Sequence, residues 1–493
     1  MADARRALDA SFERDPYDPW TKNTLDLLDA TKDYREVASP NFRFVFAPEE
    51  ADLLAPYATE IAEQAYARFA ERYGWRPEGP IRLEFYPRHE DFSVRTVGLD
   101  GLGALGVSFG SVLAMDSPSA REAGSFNWGS TLWHEVAHTF TLGASGHRVP
   151  RWLSEGISVY EERAARPGWG ADASPAFLAA YKAGRVPPPS RMNDGFMRPE
   201  YPAQVIFSYY QASLVAELIE REKGATALPR MLRLYGQGRS TADVFREVLG
   251  ETPEQFDRRF DAHVRQRFTK ELAAVEGTVS TDTTRARGER GAEASERAAA
   301  TRGPFAEALA TAAAALREER EADAIAALER AKALFPGAAG PDSPHLLLAH
   351  LYERRGDVRR AAEELKALTL VDEDQYEPNV KLAGMLEQLG DSAGAAAALE
   401  RAVWVSPYDP ALHGRLAALH ARAGNREAAV RERRAVLALR PTDEAEARYQ
   451  LAVALQQAGD AADARREVLR ALELAPAFER AQQLLLTLRG GTP

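Results

Sequence analysis

The chain has 493 residues, too many for one hydrophobic core, so two or three domains are expected. A composition 45% hydrophobic and 27% charged fits a globular protein, and a formal net charge of −11 with no basic cluster excludes a nucleic-acid surface. With no Cys there are neither disulfides nor thiolate metal sites, and no apolar run is long enough to span a membrane.

Residues 1–38 are polar with a helical pattern and form a first segment. The opening MADARRALDASFERDPYDPW lacks the apolar core of a signal peptide. It looks like the second half of a tetratricopeptide helix pair ending in Asp-Pro. That leaves the compartment open: cytoplasmic for the chain as it stands, periplasmic for a longer protein with an export signal upstream.

A second domain is expected over residues 39–275. Phe42-Arg43-Phe44-Val45-Phe46 alternates as a strand does, residues 48–73 form a long amphipathic helix stopped by Gly74, and residues 81–86 alternate again. The Gly-rich run 98–110 has no GxGxxG between a strand and a helix, so a nucleotide loop is not expected. It leads into a strand predicted over residues 107–115.

Next comes FNWGSTLWHEVAHTFTLGASGHRVPRWLSEGISVYEE, residues 126–162. Within it, His134-Glu135-Val136-Ala137-His138 is an HExxH motif in an otherwise apolar helix. One helical turn separates the two histidines, so both imidazoles can reach one metal ion, with Glu135 beside them to take a proton from its bound water. Burying two imidazoles and a carboxylate without partners would cost several kcal/mol, and a metal resolves that cost. The third ligand is not the histidine of a metzincin pattern, because Thr141 and Ala144 occupy the places of its Gly and His. His147 lies in a Gly/Ser/Arg turn and is read as a loop residue. Glu155 is the better candidate: Pro150 opens a second helix, and a short loop would turn Glu155 toward the histidine pair.

HExxH followed by Trp152-Leu153-Ser154-Glu155-Gly156 resembles the gluzincin metallopeptidases, the clan of thermolysin and the zinc aminopeptidases. It is most similar to the bacterial peptidase MA-like domains, over roughly residues 40–270. The resemblance implies an α+β thermolysin-like fold, one Zn2+ ion held by His134, His138 and Glu155, and Glu135 as general base. It also implies that the strand upstream of the metal helix is a sheet edge able to pair with an extended substrate; an ordinary core strand is the other reading. Family members often carry Asn before the ligand Glu and an acid four residues after it. Here Ser154 and Val159 stand there, which leaves the histidine rings to be oriented by Ser154 or Ser158, or by Glu161 or Glu162 if the helix bends.

Helices follow over 175–183, 203–222, 228–235, 242–249 and 253–274. Tyr209-Tyr210-Gln211-Ala212-Ser213 resembles the gluzincin helix that carries a catalytic Tyr; Tyr209 matches best, with Tyr210 as its neighbour. The alternative is two helix tyrosines with one packed in the core.

Residues 276–303 are rich in Thr, Arg, Glu, Ala and Gly and read as a linker, so the halves on either side are expected to fold separately. Over 304–493, Gly356, Gly390, Gly424 and Gly459 recur at spacings of 34, 34 and 35 residues in RGD-, LGD- or AGN-like turns, and Pro407, Pro441 and Pro476 keep the same period. That is the tetratricopeptide signature, about five units and a terminal capping helix in an all-α solenoid.

The expected protein is a zinc metallopeptidase acting on a peptide or protein, with a solenoid that binds a protein partner. Two other readings stand beside it. One is an inactive or weakly active metal-binding scaffold working through its repeats, and the other is a metal hydrolase acting on a non-peptide bond.

Overall fold

The computed structural model describes residues 2–99, 103–277, 301–372 and 374–490. Two helices, α1 (Ala2–Arg14) and α2 (Pro19–Ala30), open the chain, the second capped by Asp18, whose side chain accepts from the amides of Trp20 and Thr21. The polar segment expected to be helical to residue 38 instead ends in a strand, β1 (Arg35–Ala38), antiparallel to β2 (Phe42–Phe46). Its side chains are mostly exposed, so no hydrophobic alternation marked it.

The long helix α3 (Pro48–Tyr73) and the strand β3 (Ile81–Tyr86) have the bounds their patterns predict. Gly74 ends α3 at φ 61, a conformation costly for any residue with a side chain. After α4 (His89–Val97) the predicted strand 107–115 turns out to be two, β4 (Gly106–Ser108) and β5 (Val112–Asp116), joined through Gly110 at φ 88. The sheet order is β1-β2-β3-β5-β4, with β2, β3 and β5 parallel and β4 antiparallel to β5. β5 is therefore interior and β4 is the edge. Apolar residues continue across the turn, which is why the residue pattern shows one strand where the backbone makes a hairpin.

Helices cover the sheet and extend beyond it: α5 (Trp128–Ala144), α6 (Arg151–Ala165), α7 (Pro175–Lys182), α8 (Met192–Met197) and α9 (Gln204–Lys223). Further helices run Ala227–Gly236 and Thr241–Val248, and the single helix expected over 253–274 is broken at Phe268 into Pro253–Arg267 and Thr269–Ala274. At the expected linker, Glu276–Gly277 pairs with Thr301–Arg302, and the intervening residues lie outside the described ones.

The C-terminal half is a run of five helical hairpins from Pro304–Arg317 to Ala461–Leu474, closed by a single helix, Glu479–Gly490. Its period has a local cause. Gly356, Gly390, Gly424 and Gly459 take φ of 73, 79, 79 and 88, and Asp357, Asp391 and Asp460 just after three of them cap the next helix.

The two halves do not stand apart. One cluster of buried apolar residues runs from Phe42 on the sheet to Ala435 in the solenoid. Trp404 lies at the seam, its ring 4.9 Å from that of Trp128 and 6.2 Å from that of Trp169. The backbone amide and indole N–H of Trp128, at the first turn of α5, donate to the carbonyls of Trp404 and Val403, each at 3.0 Å. A Cβ on Gly129 would lie 2.5 Å from the Trp404 ring. Polar contacts ring this wedge: Tyr408 donates to Glu50 at 2.6 Å, Tyr57 to Glu432 at 2.7 Å, and Arg431 pairs with Glu60 at 2.7 Å. Separate halves are thus not what the packing shows. The reason is an apolar patch on each side, invisible while each is read as its own domain.

Candidate metal centre

α5 starts at Asn127, whose side chain accepts from the Ser130 amide at 2.9 Å. Two turns on, His134 and His138 lie on one face with ring centroids 4.7 Å apart. The chain then reverses through Gly146 and His147, both left-handed at φ 54 and 59, while Ser145 donates to the Thr141 carbonyl and accepts from the Val149 amide. This reversal packs α6 on α5 and carries Glu155 to the histidines.

Glu155 Oε2 lies 3.3 Å from His134 Nε2 and 3.1 Å from His138 Nε2. Donor atoms of the three residues fall within 4.8 Å of one another, the only such metal-binding group among the described residues. Two imidazole nitrogens and a carboxylate oxygen with an open side are the donor set of a catalytic zinc. Protons compete for the same atoms. Burial disfavours the charged form of His134, yet Glu162 and Glu155 outweigh it and raise its pKa well above the usual value. Burial likewise opposes ionisation of Glu155, but His138 and His134 hold its carboxyl well below the ordinary range.

The rings are oriented from behind. His134 Nδ1 faces Glu162 Oε1, and the other oxygen of Glu162 accepts from Ser130 at 2.9 Å. His138 Nδ1 meets Ser154 Oγ at 2.8 Å, and Ser154 pairs with Thr141 Oγ1 at 2.7 Å; Ser158 is farther, at 3.4 Å. Glu161 turns the opposite way, toward Arg68, Arg72 and Tyr73. No bend is needed for Glu162 to serve, because seven residues past Glu155 is two turns, about 20° off the same face at 100° per residue.

Glu135 is buried, and its Oε2 has no hydrogen-bond partner among the described residues. Burial raises its pKa, opposed by the imidazoles of His138 and His134. Edge strand β4 crosses directly over it: a Cβ on Gly106 would come 2.6 Å from Glu135 Cγ and Oε1. A larger residue there would have to displace Glu135, so strand backbone and carboxylate share one wall of a cleft of about 310 Å3, whose lining includes Gly106, Thr131, His134, Val159, Ile206 and Tyr209.

The structure separates the two tyrosines. Tyr209 is on the cleft wall, its ring 6.2 Å from that of His134, and burial followed by the charge of Glu155 raises its pKa, so the phenol keeps its proton. Tyr210, the neighbouring candidate, lies away from the cleft lining. Its ring packs edge-on against Phe177 and its hydroxyl points to Asp172, because adjacent helix positions face about 100° apart. His147 is exposed in the α5–α6 loop with its ring against Gly110, outside the donor group. The sequence reading missed Arg151, whose Nε donates to Glu155 Oε1 at 3.0 Å; its spacing of four from Glu155 was the available signal.

No family model and no curated protein matches this chain. Solved structures similar to part of it include tetratricopeptide proteins. YrrB, described as a TPR protein with an unusual peptide-binding site, is 17% identical over 36% of this chain and 89% of its own, with a TM-score of 0.27. MamA is 18% identical over 34% and 90%, TM-score 0.26. A thermophilic TPR protein of Thermus thermophilus is 23% identical over 38% and 98%, TM-score 0.19. At such scores the likeness carries no argument, and the hairpin repeat rests on the chain's own period and turns.

Proposed function

We propose that this protein is a zinc-dependent peptidase of the gluzincin type whose solenoid binds a protein partner or substrate. One observation carries the reading: three donor atoms of His134, His138 and Glu155 converge beside Glu135, a cleft-lining buried carboxylate whose Oε2 has no hydrogen-bond partner among the described residues. When bound, zinc would supply Lewis acidity toward water and the scissile carbonyl.

The chain's own groups do the rest. Glu135 accepts the proton of the attacking water and returns it to the leaving amine; a carboxylate kept buried is a stronger base than one in water. Tyr209 donates to the carbonyl oxygen as charge builds there. The free edge of β4 offers backbone groups to an extended substrate. The repeats present the long helical surface through which solenoids take protein partners.

The test is metal analysis of purified protein together with amine release from a peptide library. Near-stoichiometric zinc is expected, lost in His134→Ala and Glu155→Ala. Glu135→Gln should keep zinc while activity falls by roughly 10²–10⁴. Undiminished cleavage by Glu135→Gln, or protein without zinc, overturns the reading. The scaffold alternative is favoured if zinc is present and no peptide is cleaved.

A further inference from the structure

We infer that Arg151 is a positioning residue of the metal cleft: it occupies one oxygen of Glu155, leaving the other for the metal, and aims the Tyr209 hydroxyl. The inference rests on the zinc peptidase reading. Glu155 divides its two oxygens. Oε2 is the atom near both imidazole nitrogens, and Oε1 accepts from Arg151 Nε at 3.0 Å. A carboxylate tied this way presents a single donor atom to a cation.

Arg151 and Tyr209 also lie against one ring, that of Phe196. Phe196 fixes both, its ring 5.1 Å from that of Tyr209 and 5.6 Å from Arg151 Cζ. A flat fork with several N–H groups can serve the carboxylate and the phenol together, whereas a lysine ammonium lacks that geometry. An exposed pair four residues apart on a helix is ordinarily worth little. This one differs because Glu155 is buried at the metal position and Tyr209 lines the cleft.

Four variants of the full chain test it: Arg151→Ala, Arg151→Lys, Tyr209→Phe and the Arg151→Ala/Tyr209→Phe double. Arg151→Ala should lower kcat roughly 10–100-fold with KM little changed, the usual cost of losing a group that orients metal-site residues. Arg151→Lys should not restore it. The double variant should be no worse than Tyr209→Phe alone, since one residue acts through the other. Zinc affinity, read by chelator competition, should rise in Arg151→Ala, because a cation beside the metal has been removed.

Zinc loss in Arg151→Ala, additive losses in the double variant, or an effect on KM alone each overturns the inference. If the native protein holds zinc and cleaves nothing, the peptidase reading falls separately. Arg151 is then judged on zinc competition alone, where a rise in affinity in Arg151→Ala supports its charge beside the metal-binding oxygen and an unchanged or lower affinity rejects it.

Discussion

The two halves solve the same problem, burying apolar surface, by opposite means. In the solenoid each hairpin packs on its neighbour in the chain, and four of the five hairpin turns repeat one local device, a left-handed glycine followed by an Asp or Asn. In the sheet-bearing half the candidate site draws Gly106, His134, Glu155 and Tyr209 from four separate elements, and its core is crossed by buried charges. Regular stacking tolerates local change. A convergent site does not, since each of its members is held by residues far away in sequence. The seam at Trp404 joins the two regimes and makes the first turn of α5 depend on the solenoid.

The largest effect should come from breaking that seam. Trp404→Ala removes a ring that is 6% exposed and should cost about 3–5 kcal/mol. Calorimetry should show the native protein unfolding with the halves coupled, and the variant separating into two transitions. A sheet-bearing half that melts unchanged in the variant would mean that the solenoid lends it nothing.

Next in size is the tyrosine pair, which asks how sharply a convergent site discriminates neighbours. Tyr209→Phe should lose roughly 10²–10³ in kcat, about 3–4 kcal/mol, with fold and zinc kept. Tyr210→Phe should change kcat little, since its hydroxyl points to Asp172 at 3.4 Å and not into the cleft lining. Kinetics on any cleavable peptide decide it, and the reverse order of severity would refute the assignment.

The solenoid's local logic predicts a smaller, confined loss. Gly424→Ala at φ 79 should cost about 1–2 kcal/mol by melting temperature, with zinc content untouched. Zinc loss in this variant would show that strain crosses the seam.

Smallest is the acid response of the seam. Burial raises the pKa of Glu432, but hydrogen bonding and charge from His413, with Arg431, hold it below the ordinary 4.5. A carboxylate whose folded pKa lies below its unfolded value stabilises the fold above the unfolded value and loses that contribution as pH falls through the folded one. The seam should therefore be firm at neutral pH and weaken below about pH 4.5. Thermal melts from pH 7 downward should show a steeper acid loss in the native protein than in Glu432→Gln; identical slopes would exclude Glu432 as the cause.

What the sequence by itself determined is whatever repeats or alternates over short distances. Phe42–Phe46, Pro48–Tyr73 and Ile81–Tyr86 have the bounds their apolar periods predict, and the glycine period marks every hairpin turn it was read from. The HExxH spacing needs only one turn of helix to bring two imidazoles together. Tertiary structure alone decided the rest. Whether β5 or β4 is the sheet edge depends on which strand pairs with β3. Glu162 and not Glu161 supports His134 because α3 claims the face on which Glu161 lies, through Arg68, Arg72 and Tyr73. Arg151 and Tyr209 meet through Phe196, which lies against both, and Trp404 fits the seam because Gly129 leaves room for its ring. Local patterns encode which faces are apolar or reactive, while the partner of each face is chosen by packing between residues tens to hundreds of positions apart.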